Sequence, residues 1–111
     1  MVESNPELDL LFTALSDSTR RGILAQVAEL EMTISEIAQH YQMTFAAISK
    51  HIKVLEKANL VRKHRRGKSQ VVIIVPETLD IARHQIERYA RMWSQRFEKL
   101  DSLLQTKDQK Q

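Results

Sequence analysis

The chain has no cysteine and only two glycines and two prolines in 111 residues. Without a thiol it holds no disulfide, thiolate metal site, cysteine nucleophile or thiol redox sensor. With so few helix breakers it reads as mostly helical, with few turns. No apolar run approaches the roughly 20 residues that cross a bilayer. The opening segment MVESNPELDL is acidic and polar rather than signal-like, so no membrane partner and a cytoplasmic location are expected. No nucleophile stands with a base, and there is neither a glycine-rich phosphate loop nor a metal constellation, so neither an enzyme nor a cofactor is expected. Hydrophobic residues make up 42%, enough for one core. A single domain over residues 1–105 is expected, with the polar stretch TKDQKQ at 106–111 frayed.

Charge is present but unevenly placed. Residues 1–39 carry two basic and seven acidic side chains, a balance of −5. Residues 40–76 carry eight basic side chains and one acid, Glu56, for +7, and residues 77–111 balance at +1. A mildly basic chain has therefore gathered its positive charge in one segment, the footprint of a surface that faces phosphates.

That segment also has a recognisable order of elements. Pro6 opens a first helix with Leu8, Leu11, Phe12 and Leu15 at helical spacing. Asp17 caps a second helix, through about Glu29, that turns Ile23, Leu24 and Val27 inward. Gly22 inside it costs about 1 kcal/mol relative to alanine, so it marks a close helix approach. Thr33 and Glu36 form a capping box for a short helix from Ile34 to about His40. After the turn Tyr41, Gln42 and Met43, Thr44 caps a helix to about Lys57 whose Ile48, Ile52 and Leu55 share one face. Asn59 suits a left-handed closing residue. Residues 60–66 and 69–75, the second with the run VVIIV, then read as a β-hairpin ended by Pro76.

The predicted fold is thus mainly α with a small β-hairpin: four helices, the hairpin, then a fifth helix, a winged helix-turn-helix. Such an arrangement points to double-stranded DNA as partner. At about 100° per residue, Ala46, Lys50 and Lys53 point away from the core, with Phe45 and Ser49 beside them. Thr33, Thr44 and His51 complete the candidate DNA contacts on this motif. On the hairpin, Arg62, Lys63, Arg65, Arg66 and Lys68 place five formal charges within seven positions, which calls for a nearby anion.

The last helix, from about Glu77 to Leu104, carries Ala82, Ile86, Tyr89, Trp93, Phe97, Leu100 and Leu104 at spacings of three and four. A continuous apolar stripe on a helix this long predicts packing against a second copy, a homodimer.

Three stretches carry a family resemblance: LFTALSDSTRRGIL at 11–24, ISEIAQHYQMTFAAISKHIKVLEKANLV at 34–61 and RYARMWSQRFEKLDSLL at 88–104. They resemble the ArsR-type (arsenic-repressor-like) winged helix-turn-helix regulators. The resemblance implies a homodimeric repressor whose first and last helices make the dimer contact, which adds Leu8, Leu11 and Phe12 to the interface. It also implies an inverted-repeat operator overlapping a promoter.

The chain departs from the family pattern in several places. Metal-sensing relatives often carry cysteines in the helix occupied here by Ile34 to His40, and this chain has none. His84 and Glu87 match half of another family metal site, and Asp80 shares their helical face, but the aspartate-histidine pair of that site is missing. The chain therefore looks like the family branch with no known metal site. Ser18 stands where proline is common, Asn59 where glycine is common, and Phe45 with Ala46 where a polar residue and proline are common.

The expected function is sequence-specific, metal-independent transcription regulation, most simply repression, with room for a small-molecule or protein effector. Two other readings fit the same features: a sequence-indifferent architectural DNA binder, and a winged-helix module that docks a protein through Phe45.

Overall fold

The structure is a computed structural model that describes residues 5–109. Its elements are α1 (Pro6–Leu15), α2 (Ser18–Glu29), β1 (Met32–Thr33), α3 (Ile34–Tyr41), α4 (Phe45–Lys57), β2 (Val61–Arg66), β3 (Ser69–Ile74) and α5 (Pro76–Gln109). The fold is mainly helical with a small antiparallel sheet in the order β1-β3-β2. The hairpin gains a third strand that the sequence reading lacked. Met32 pairs with Val72 and Thr33 with Val71. Two residues are too few to show a strand's alternation, so β1 exists only through its partner.

Local side-chain chemistry starts each of the first four helices. Asn5 Oδ1 accepts from the Leu8 amide at 3.2 Å, and Asp17 Oδ2 from the Arg20 amide at 3.0 Å. The Thr33 hydroxyl accepts from the Glu36 amide at 3.1 Å while the Glu36 carboxylate accepts from the Thr33 amide at 3.3 Å. The Thr44 hydroxyl accepts from the Ala47 amide at 3.1 Å. Each bond satisfies an amide that a helix start leaves without an internal partner.

Two helices close in the same way. Asn59, at φ 59°, follows α4, with the Leu60 amide donating to the Leu55 carbonyl at 2.9 Å and the Asn59 amide to Glu56 at 2.9 Å. Gln42, at φ 54°, closes α3, with the Met43 amide on Ala38 at 3.0 Å and the Gln42 amide on Gln39 at 3.2 Å. These are the paired bonds of a Schellman closure, made without glycine at either left-handed position.

The end of α1 is held by α2. Arg20 Nε donates to the Ala14 carbonyl at 2.8 Å and its Nη2 to Thr13 at 2.9 Å, while Arg21 Nη1 donates to Leu15 at 2.9 Å. Three carbonyls of the last turn of α1 thereby gain charged donors.

By contacts the chain divides into two units, one ending at Leu79 and the other beginning at Asp80. The core of the first unit joins Ile23, Leu24 and Val27 of α2 with Ile34 and Ile37 of α3, and it continues through Ile48, Ile52 and Leu55 of α4 to Leu60, Val61 and Val72. The second unit is the bulk of α5, which includes residues 106–109 of the stretch expected to fray; residues 110 and 111 lie outside the described residues. Its Ile86, Tyr89, Trp93, Phe97, Leu100 and Leu104 are all exposed, and Met92 and Leu103 widen the same apolar face.

Gly22 does mark a close approach: a Cβ at that position would overlap the Tyr41 hydroxyl and lie 3.3 Å from Tyr41 Cζ. We expect Gly22→Ala to lower the unfolding midpoint, although alanine is the better helix former by about 1 kcal/mol. Gly22→Ala combined with Tyr41→Phe should recover part of the loss. Thermal unfolding of the four proteins of this cycle checks both statements; effects of the two substitutions that simply add, with no coupling between them, contradict the contact.

Candidate nucleic-acid interface

The rotation of α4 follows from its buried face. Ile48, Ile52 and Leu55 have no exposed surface. On the other side Phe45, Ala46, Lys50 and Lys53 are exposed, and Ser49 is half-buried at the edge. Thr44, also exposed, uses its hydroxyl oxygen to cap the helix, and Thr33 does the same for α3. The four outward side chains therefore share one accessible face of the helix, with Phe45 and Ala46 at its leading end.

The wing is built by continuous pairing of β2 with β3, from Val61 with Ile74 to Arg66 with Ser69. That register leaves Gly67 and Lys68 as a two-residue turn, with Gly67 at φ 63°. A positive φ at this turn position favours glycine. Arg62, Arg65, Arg66 and Lys68 are exposed, and Arg65 Nε donates to the Gly67 carbonyl at 3.3 Å. Between the start of α3, the start of α4 and the wing tip lies a cleft of about 400 Å³, lined by Thr33, Ile34, Ser35, Phe45, Arg65, Lys68, Ser69 and Gln70.

Four residues sit differently from the expectation that they face a partner. Lys63 Nζ lies 3.2 Å from Glu56 Oε1 and both side chains are largely shielded, so this lysine ties the base of the wing to α4. Arg66 Nη2 lies 2.9 Å from Glu31 Oε2, although that pair is exposed and weak enough for a phosphate to compete. His51 turns its Nδ1 toward α2, 3.5 Å from Arg20 Nη1 and 3.8 Å from Asp17 Oδ2, because its place on the helix is nearer the core. Leu11, named for the dimer contact, is 3% exposed and filled by its own chain, whereas Leu8 and Phe12 are half-buried.

Arg20 and Arg21 carried no role in the sequence reading, and the signal was available in their position just after a capping aspartate at a helix junction. Asp80 and Glu87 face Arg83 at 3.2 and 3.9 Å. Among the described residues no group of three or more histidines, cysteines or carboxylates is placed to hold a metal. Nor, among them, is any helix long and apolar enough to cross a membrane.

A short helix, a tight left-handed turn, a second helix with a solvent-facing polar side and a cationic hairpin define a winged helix-turn-helix DNA-binding domain. Comparison with known proteins agrees. Residues 17–63 match the family described as bacterial regulatory protein, arsR family. The chain is 43% identical over 82 residues to the uncharacterized HTH-type transcriptional regulator YuzN of Bacillus subtilis (strain 168), covering 68% of this chain and 89% of that one. It is 39% identical over 57 residues to the transcriptional repressor SdpR of the same strain, covering 51% of this chain and 63% of that one. Among solved structures, an ArsR-like transcriptional regulator from Rhodococcus sp. RHA1 superposes with a TM-score of 0.82 at 26% identity, over 90% of this chain and 92% of that chain. The chain belongs to the ArsR family, a family of DNA-binding transcription regulators rather than enzymes.

Asp17 links the stability of the fold to pH. The Arg20 amide bond, with the charges of Arg20 and His51, holds its carboxyl below the ordinary 3.8 despite partial desolvation. A carboxyl lowered in the folded state stabilises the fold above its unfolded value, and that contribution is lost as pH falls through the folded value. Asp17→Asn keeps a capping side chain but removes the charge. We expect the variant to be less stable than the parent at pH 7, with the gap closing as pH falls below about 4; urea unfolding across that range measures it.

Proposed function

We propose that this regulator is a homodimeric repressor that reads an inverted-repeat operator, independently of metal, in the cytoplasm. The observation that carries the reading is the accessible face of α4 beside an exposed cationic wing. A helix presents base-reading side chains to the major groove, whereas arginines and lysines on a hairpin suit phosphates or the minor groove. Thr44, Phe45, Ala46, Ser49, Lys50 and Lys53 are assigned to base edges, and Arg62, Arg65, Arg66 and Lys68 to the backbone. Thr33 and His51 flank this set. Occupancy of an operator that overlaps a promoter would then exclude the polymerase.

Two predictions separate the roles. Neutralising Arg62, Arg65 or Lys68 singly should weaken binding to all sequences alike and reduce the slope of log affinity against log salt by about one. Substitutions at Ser49, Lys50 or Lys53 should change which sequence is preferred. Binding assays on selected and scrambled duplexes at several salt concentrations check both. A specificity ratio well below ~10³ would favour the architectural reading instead.

Dimerisation rests on the apolar face of α5, where Trp93 is 71% exposed and Phe97 64%. So large an unpartnered surface is covered most simply by the same face of a second copy. Its reading helices would lie about 34 Å apart, one turn of duplex, or a multiple of that spacing. Replacing Trp93 and Phe97 together with glutamate should yield folded monomers with weakened operator affinity. Sedimentation equilibrium at micromolar concentration checks this, and a monomeric parent protein contradicts it.

A further inference from the structure

We propose that Phe45 and Ala46 read the C5 methyl group of a thymine in each half-site, an inference that rests on the assignment of α4 as the reading helix. The first two positions of that helix carry no hydrogen-bonding side chain. The leading end of a reading helix is the part that meets base edges, so these positions cannot use the donor and acceptor pattern that distinguishes most base pairs. Of the bases in the major groove, thymine alone offers an apolar group, its methyl, and phenylalanine and alanine are side chains that pack on it.

The surroundings of Phe45 argue for DNA over a protein partner. Phe45 is 56% exposed, and the cleft it lines is mostly polar, with Ile34, 4% exposed, the other apolar side chain there. Its polar lining is the hydroxyl-bearing Thr33, Ser35 and Ser69, the amide Gln70 and the cations Arg65 and Lys68. An apolar ring beside two cations and three hydroxyls matches one nucleotide unit, with a phosphate held by the cations and a base edge placed against the ring. A protein hot spot would instead ring the aromatic with further apolar contact.

The test uses the full chain and a duplex obtained by selection with it. Each thymine of the half-site is replaced singly by deoxyuridine, which pairs identically but lacks the methyl. We expect one position per half-site at which affinity falls about four-fold, the worth of one methyl returned to water. That penalty should vanish in Phe45→Ala and persist in Lys57→Ala, an exposed position at the end of α4 with no assigned DNA contact, with the unfolding midpoint of Phe45→Ala confirming an intact fold. Specific binding that no deoxyuridine weakens, or a penalty unchanged in Phe45→Ala, overturns the inference while leaving the reading helix in place. Loss of all sequence preference in the unmodified protein overturns both. A Phe45→Ala chain that binds the selected duplex with unchanged affinity also overturns the inference.

Discussion

Ile48, Ile52 and Leu55 can all be buried at once in only one rotational setting of α4. Turning the helix by one residue, about 100°, would carry much of all three out of the core. At roughly 1.5–3 kcal/mol for each buried side chain, the loss is about 5–9 kcal/mol, comparable with the whole net stability of a small domain. The outward direction of Phe45, Ala46, Lys50 and Lys53 is therefore a consequence of core packing. The closures at Gln42 and Asn59 then fix where that helix begins and ends relative to α3 and the wing.

Electrostatics divides the positive segment into two populations. Lys63 spends its charge on Glu56, and so joins β2 to α4 and holds the wing near the reading face. On the proposed reading the exposed Arg62, Arg65 and Lys68 meet the phosphate backbone. Arg66 stands between these cases, since an exposed ion pair of this kind is worth less than about 1 kcal/mol and a phosphate offers more charge. The concentrated charge read from residues 40–76 overstates the free positive charge of the wing, because Glu31 lies outside that stretch and still neutralises part of it.

Features that depend on neighbours three or four residues away were legible in the sequence. Asp17, Thr33 with Glu36, Thr44 and Asn59 all have a chemistry that acts on the adjacent backbone, and each is found in that role. The inward face of α4 follows from its period for the same reason. What escaped depends on distant parts of the chain or on residues without a marked preference. Strand β1 is defined by Val71 and Val72, some 40 residues later. Gln42 adopts a left-handed backbone that glutamine does not advertise, and Arg20 reaches back six and seven residues to carbonyls of α1. The partners of Lys63 and His51, and the burial of Leu11, belong to the same long-range class.

On the proposed reading, one face of α4, together with the wing, meets DNA. Backbone amide shifts of the isotopically labelled protein, followed by NMR while a selected duplex is added, test it most directly. The largest changes are expected from Thr44 to Lys53 and from Arg62 to Lys68, with small changes in the core-facing turns of α2. Changes concentrated in α2 or along residues 86–104, with α4 and the wing unmoved, would contradict it.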